Sequence, residues 1–149
     1  MKKLITTVAQ IAPIPMDIVK NLHSMFVAIE QAKKEGSDLI VFPELCVSGY
    51  LLGDRFEYDD FIKELQDANE KIKEMSKGIT IVWGNIVSDT AKKNEDGRIR
   101  KYNAVLIASN GAYVSNGVLT GFMPKTNLPK YRFFDDARHF YPGDKVADE

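Results

Sequence analysis

A carboxylate at position 44 directly follows a short apolar run and a proline, where a core strand would end. Residues 38–42, DLIVF, are apolar and rich in β-branched side chains, which predicts a buried strand. Pro43 has no N–H for the sheet and would end the pairing. Glu44 is thereby placed at the carboxyl end of a strand, where open α/β sheets place their chemistry. A carboxylate there could act as a general base, although most carboxylates are surface groups.

Cys46 lies close to Glu44 and is the single cysteine of the sequence. Alternation along an extended segment would place the two side chains on the same side, so a thiol nucleophile beside a base is one interpretation. The other is a small buried hydrophobic residue, the more usual role of a free cysteine beside an apolar strand. A single cysteine excludes an internal disulfide and a multi-cysteine metal site.

The composition is that of a globular domain and not of a nucleic-acid or membrane protein. The 149 residues are 44% apolar and 28% charged, and 20 basic against 21 acidic residues leave a net charge of −1. This length favours one domain with its own core, and no linker or repeat divides it. Nearly balanced charge gives no indication of binding to nucleic acid or to an acidic membrane surface. With no secretory signal and no long apolar span, we expect a cytoplasmic protein.

Two elements must precede the strand that carries Glu44. Residues 4–12 predict a first strand, and Asp17 is placed to cap a helix that stops at Gly36. The apolar face of this helix consists of Ile18, Leu22, Met25, Phe26, Ile29 and Ala32. His23 lies beside that face with no second His or Cys at metal-ligand spacing, so we do not expect a metal ligand. A strand, a helix and an apolar strand in this order predict a βαβ-like opening.

A second helix and a further strand follow. The helix runs from Asp59 or Asp60, either of which could cap it, to about Ser76. Its inner face consists of Phe61, Leu65, Ala68, Ile72 and Met75. Residues 79–87 predict a strand in which Gly84 marks a bulge or a close approach of another segment.

The second half of the chain favours hairpins. Residues 92–101 are charged and contain the turn pair Asp96-Gly97, which predicts a solvated hairpin tip. Asn110-Gly111 predicts a second turn, between strands at 102–108 and 112–119. Hairpins after a βαβ opening predict a mixed sheet, and the absence of a GxGxxG motif argues against a dinucleotide-binding fold. From residue 121 the chain is dense in Pro, aromatic and charged residues, which is typical of a long functional loop whose aromatic side chains need packing partners.

Two segments resemble the carbon–nitrogen hydrolase (nitrilase) superfamily, namely FPELCVSGY at 42–50 and PKTNLPKYRFFDDARHFYPGD at 124–144. The second has the pattern K-x-x-L-P-x-Y-x-x-F-D-[DE]-x-R-x-F, which is similar to the glutaminase domain of glutamine-dependent NAD synthetases. The intervening YNAVLIASNGAYV resembles the family's hairpin before the lysine. The resemblance implies an α/β fold, a partial nitrilase-like αββα sandwich whose mixed β-sheet carries two helices on one face. Residues 1–149 would then form one partial carbon–nitrogen hydrolase domain, about its first half.

The resemblance also implies roles for individual residues. Glu44 matches the general base and Lys125 the group that stabilises the tetrahedral oxyanion, while Tyr50, Tyr131 and Phe134 match positions that line the glutamine pocket. Amide hydrolysis through a thioester requires a thiolate, a base and a cation where negative charge develops. The base should be buried, with a charged neighbour that sets its pKa. No cofactor or metal is expected in this chain, and ATP and Mg²⁺ are expected only in an associated synthetase domain.

The family's nucleophile is a cysteine that follows the lysine segment, and no cysteine follows Lys125 here. We therefore expect the N-terminal part of a glutamine amidohydrolase that supplies ammonia for ATP-dependent amidation of deamido-NAD, inactive by itself. A second chain or domain would bring the cysteine and the synthetase, glutamine would be the substrate, and the protein would be a homo-oligomer. Two alternatives are a non-catalytic binding or assembly module and a piece of another nitrilase-type amidase. The LPKYRFFDDARHF pattern argues against the second.

Overall fold

The computed structural model of the chain describes residues 3–115 and 121–146. Within them a mixed sheet has the strand order β1-β2-β3-β4-β5, and β6 pairs with β4. Strands β1 to β3 are parallel, whereas β4 is antiparallel to β3, β5 and β6. The strands are β1 Thr6–Val8, β2 Leu39–Val41, β3 Thr80–Lys93, β4 Ile99–Ser109, β5 Ala112–Tyr113 and β6 Phe122–Pro124. The predicted mixed α/β sheet is confirmed.

Two long helices, α1 (Ile18–Lys34) and α2 (Asp59–Met75), pack against each other and cover one face of this sheet. Beneath them Ile40, Ile81 and Ala108 are paired across β2, β3 and β4 and are fully buried. The residues that flank these three in their strands point to the opposite face and are partly exposed. Further along β3 and β4, at 83–86 and 101–104, consecutive residues are buried, so both faces are covered there. The two helices nevertheless lie on one face, as predicted.

The helix faces largely match their predicted periodicity. Asp17 caps α1 by accepting a hydrogen bond from the N–H of Lys20 at 3.1 Å. Phe26 was expected on the inner face, but it is 45% exposed because it lies on the solvent side of the stripe through Met25 and Ile29. The buried residues of the two helices are Ile18, Asn21, Met25, Ile29, Ala32, Phe61, Ile62, Leu65, Ala68, Asn69 and Ile72.

The start of α2 differs from the prediction. Its N-cap residue is Tyr58, which makes no side-chain cap hydrogen bond. Asp59 and Asp60 lie in the first turn instead, where their negative charges face the positive end of the helix dipole. The helices α3 (Asp136–His139) and α4 (Gly143–Val146) are single turns in the segment after β6. None of the helices in the described part of the chain is long and apolar enough to cross a bilayer.

Strand lengths depart from the sequence pattern in both directions. The predicted strand at 4–12 shortens to Thr6–Val8, since it can pair only with the short β2. By contrast β3 extends to Lys93, because the antiparallel partner β4 continues the ladder far beyond the apolar stretch. The Asn110-Gly111 turn is confirmed, with φ of +52° and +80°. Residues 116–119 of the predicted strand at 112–119 lie outside the described residues.

Candidate active site

Glu44 is held where β2 ends by close contact with the backbone of β3. The N–H of Phe42 still pairs with the carbonyl of Val82 at 2.8 Å, and the N–H of Gly84 donates to the carbonyl of Pro43 at 3.2 Å. A side chain at Gly84 would put its Cβ 2.5 Å from the Cα of Glu44 and 2.8 Å from the N of Leu45. Gly84 is therefore a close-approach position, one of the two interpretations its place in the strand allowed.

Lys125 reaches Glu44 from the end of β6, which pairs with β4 and is separated from β2 by β3. It follows β6 directly, and its N–H pairs with the carbonyl of Asn103 on β4 at 2.8 Å. The Lys125 Nζ donates to Glu44 Oε1 at 2.6 Å, and Asn103 Nδ2 donates to the same oxygen at 2.7 Å. The fold thus brings together two residues that are 81 positions apart in the chain.

The electrostatics of this pair favour a charged lysine. Burial lowers the pKa of Lys125, but the hydrogen bond to Glu44 and the negative charges of Glu44 and Asp136 raise it by more. The net result is a Lys125 pKa above its usual value, so the ammonium form persists at neutral pH. The Glu44 side chain is 47% exposed, which differs from the burial expected of a general base. The segment after β2 runs alongside β3, where the N–H of Cys46 pairs with the carbonyl of Gly84 at 3.0 Å, and the described residues leave about half of the Glu44 side chain open to solvent.

Asp136 is a second carboxyl residue of the site, and the sequence reasoning did not single it out. It is 6% exposed and accepts the Tyr50 hydroxyl at 2.9 Å, and the Lys125 Nζ lies 3.4 Å from its Oδ2. Asn103 was missed as well. Asp136 could have been considered because it lies inside the 124–144 segment that resembles the family. Asn103 lies in a strand whose sequence gives no indication of a functional role.

Tyr50, Phe134 and Tyr131 form a chain of edge-on aromatic contacts beside the carboxylates. Ring centroids are 5.7 Å apart for Tyr50 and Phe134, and 5.3 Å apart for Tyr131 and Phe134. Burial and the hydrogen bond to Asp136 raise the pKa of the Tyr50 phenol, so it is a hydrogen-bond donor at neutral pH. Tyr131 is 62% exposed, and a cavity of about 270 Å³ is lined by Tyr50 and Asp136 but not by Tyr131 or Phe134.

Cys46 is turned away from this cluster into the core. Its side chain is fully buried, with Sγ 3.7 Å from Met25 Sδ and 3.4 Å from the carbonyl of Gly84. Burial raises the pKa of the thiol to about 12, so very little thiolate exists at neutral pH. Of the two interpretations of Cys46, the geometry favours the small buried hydrophobic residue. Within the described residues no group of three or more His, Cys, Asp or Glu could hold a metal ion.

The model of the carbon–nitrogen hydrolase family matches residues 5–143. The chain belongs to the carbon–nitrogen hydrolase family. This match includes Glu44, Lys125 and Asp136 and runs through all six strands of the described sheet. The family predicted from the 42–50 and 124–144 segments is therefore confirmed.

Within this family, the chain is similar to enzymes of one kind. Glutamine-dependent NAD(+) synthetases from Acinetobacter baylyi and Thermotoga maritima are each 35% identical, over 96% and 98% of this chain. The match lies on their N-terminal domain, and the chain spans about a quarter of their length, 24% and 23%. The predicted similarity to the glutaminase domain of these synthetases is confirmed.

Solved structures agree on the fold. The glutamine-dependent NAD+ synthetase from Acinetobacter baumannii superposes with a TM-score of 0.78 at 34% identity, over 96% of this chain and 24% of its own. An amidase from Nesterenkonia sp. AN1 superposes with a TM-score of 0.75 over 95% of this chain and 50% of its own. At 19% identity the amidase shows the fold alone, and that fold is the nitrilase-like one predicted.

Proposed function

We propose that this chain is the N-terminal part of a glutamine amidohydrolase that supplies ammonia for ATP-dependent amidation of deamido-NAD to NAD. One observation carries the proposal: Glu44 and Lys125 are in contact, in a chain whose relatives along nearly its whole length are glutamine-dependent NAD(+) synthetases. A base and a cation side by side are what amide hydrolysis needs around a thiolate.

Glu44 is the general base of this proposal. It takes the proton of the attacking thiol and returns it to the leaving nitrogen, so that ammonia departs and a thioester remains. Glu44 next takes a proton from the water that attacks the thioester, and the thiol recovers that proton as glutamate leaves. Lys125 and Asn103 both donate to Oε1, and among the described residues no donor is assigned to Oε2, the oxygen left to carry the proton.

Lys125 stabilises the oxyanion of the tetrahedral intermediates. Two of its N–H groups point to Glu44 and Asp136, which fixes the ammonium and leaves a third N–H for the developing negative charge. Tyr50, Tyr131 and Phe134 line the glutamine pocket. Asp136 holds the Tyr50 hydroxyl and Lys125 at once, so it sets the distance between pocket and cation.

The nucleophilic thiolate comes from outside these 149 residues, from a second chain or from further residues of the protein. Support for this is the position of Cys46, which faces Met25 in the core and not Glu44. The half-exposed Glu44 carboxylate agrees with a site that other residues complete and dehydrate. Without them the chain is inactive, and ATP and Mg²⁺ act in the associated synthetase domain. The protein assembles as a homo-oligomer in the cytoplasm.

The test uses the protein isolated gently from its own cells. Native mass spectrometry should find this sequence joined to a cysteine-bearing chain or domain, and the preparation should release ammonia from glutamine. Replacing Glu44→Gln in that protein should reduce ammonia release by about 10²-fold or more, since the base is lost. The matched control is Glu74→Gln, an exposed carboxylate on α2, which should leave the rate unchanged.

Full activity in Glu44→Gln would disprove the role of this carboxylate. A self-associated chain of 16.8 kDa without ammonia release would favour the non-catalytic assembly module. Hydrolysis of other amides in preference to glutamine would favour a nitrilase-type amidase of different specificity.

A further inference from the structure

A second charged cluster is centred on Glu57 and does not include Glu44 or Lys125. This residue ends the 3₁₀ turn Gly53–Glu57. Its carboxylate accepts hydrogen bonds from Lys101 Nζ at 2.6 Å, Arg98 Nη1 at 2.7 Å and His139 Nδ1 at 2.6 Å. One carboxylate thus joins three segments of the chain, namely the turn, strand β4 with its preceding loop, and helix α3.

Two of the side chains that bind Glu57 are shielded from solvent, which strengthens their hydrogen bonds. The side chains of His139 and Lys101 are only 4% and 8% exposed. Burial alone would raise the pKa of Glu57, but the hydrogen bonds from Lys101 and His139 lower it to about 2. Glu57 is therefore an anion at neutral pH, and hydrogen bonds to a charged acceptor in a shielded place are the stronger kind.

The partners of His139 define which nitrogen carries its proton. Nδ1 faces the Glu57 carboxylate, which can only accept, so Nδ1 must be the donor. Nε2 lies 3.4 Å from Arg138 Nη2, which can only donate, so Nε2 is the acceptor. The His139 ring also packs against Phe56, with centroids 5.7 Å apart.

Helix α3 connects this cluster to the candidate active site. Asp136 and His139 are its first and last residues, and the N–H of Phe140 closes the turn on the carbonyl of Asp136 at 2.9 Å. A single turn has too few internal hydrogen bonds to hold itself, so contacts from outside must fix it. Glu57 supplies that contact at one end, and Asp136 grips Lys125 and Tyr50 at the other.

We propose that His139 and Glu57 are positioning residues for the site: their hydrogen bond fixes α3, and α3 fixes the Asp136 carboxylate that holds Lys125 and Tyr50. The consequence for catalysis rests on the proposed function, whereas the consequence for the order of α3 does not. Neither residue touches the reacting atoms, so their effect must pass through Asp136.

The first experiment measures backbone hydrogen exchange in the full chain, without any substrate. His139→Phe keeps the aromatic packing and removes the donor, while His139→Asn keeps an N–H near the place of Nδ1. In His139→Phe the amides of Asp136 and Phe140 should exchange about tenfold faster or more, and those of β3 and β4 should not change. His139→Asn should restore slow exchange. The chain's other histidine, His23, lies exposed on α1, and His23→Phe should have no effect.

Equal exchange in His139→Phe and the wild type would overturn the proposal, and so would equally fast exchange in the Asn and Phe variants. Should His139→Phe fail to fold, Glu57→Gln serves in its place. It keeps the shape of the side chain, loses the charge, and should also accelerate exchange in α3.

The second experiment is a double-mutant cycle on ammonia release from glutamine by the complete protein. His139→Phe and Asp136→Asn should each lower kcat about tenfold or more, and the double variant should be no slower than Asp136→Asn alone. Multiplying effects would show that His139 does not act through Asp136 and would overturn the proposal. If the wild type releases no ammonia, the proposed function fails, and the exchange experiment still decides the role of His139 and Glu57.

Discussion

The ammonium group of Lys125 lies 2.6 Å from the carboxylate of Glu44, although 81 positions separate them in the chain. Each partner has independent support, since Glu44 rests on Gly84 of β3 and Lys125 is anchored through Asn103 of β4. Two adjacent strands of one sheet therefore determine the distance between the base and the cation. Such rigid placement is what allows oriented groups to lower a reaction barrier.

Replacing Lys125→Met should reduce glutamine hydrolysis by the complete protein by about 10² to 10³-fold, because the cation for the oxyanion is lost. The measurement is the steady-state rate of ammonia release. Lys130→Met, at an exposed lysine of the same segment, is the control and should retain the wild-type rate. Retained activity in Lys125→Met would contradict the assigned role.

The same substitution should also change the dependence of stability on pH. The pKa of Lys125 is raised in the folded chain above its ordinary 10.5. A group with a raised folded pKa contributes its stability below the unfolded pKa and loses it as the pH rises through the folded one. Unfolding by urea should thus show a wild-type advantage over Lys125→Met at neutral pH that declines as the pH rises above 10.5. An advantage that grows with alkaline pH would contradict the ion pair.

Replacing Gly84→Ala should displace the segment that carries Glu44, because the new methyl group would meet backbone atoms 2.5 to 2.8 Å away. We expect a loss of about 1–3 kcal/mol in the free energy of unfolding, and a rate loss of about a hundredfold from the misplaced carboxylate. Gly36→Ala is the matched control. It has a φ of +76° and no atom within 4 Å, so it should cost stability through strain without affecting the rate.

Replacing Cys46→Ala should leave ammonia release by the complete protein within about threefold of the wild type, since a thiol with this raised pKa forms very little thiolate at neutral pH. Its buried position predicts a stability cost of about 1 kcal/mol. In this chain iodoacetamide should label Cys46 only after unfolding, which mass spectrometry would detect. Rapid labelling of the folded chain, or loss of activity in both Cys46→Ala and Cys46→Ser, would restore Cys46 as a candidate nucleophile.

Acid should destabilise the protein partly through Glu57, whose pKa falls from 4.5 to about 2 on folding. A lowered folded pKa stabilises the protein above the unfolded pKa, and the contribution is lost as the pH falls through the folded value. Between about pH 4.5 and pH 2 the wild type should lose about 2 kcal/mol more than Glu57→Gln, with solvent screening included. Denaturant titrations at several pH values measure this difference, and parallel curves would contradict it.

Several features could be predicted from local pattern alone. The helix faces follow from apolar spacing, the cap at Asp17 from its side-chain oxygen, and the Asn110-Gly111 turn from the φ values those residues tolerate. These predictions succeed because each depends on residues a few positions apart. Strand ends were less predictable, since the length of β3 depends on how far β4 pairs with it.

The sequence by itself determined the family, the mixed sheet and the candidate pair Glu44 and Lys125, because the two segments carry a recognisable pattern of residue types. Only the tertiary structure decided that Cys46 faces the core, that Asp136 and Asn103 belong to the site and that His139 meets Glu57. These are contacts between residues distant in the chain. They depend on the strand register and on the face of the sheet to which each side chain points. A shift of the register by one residue would turn every side chain of a strand to the other face.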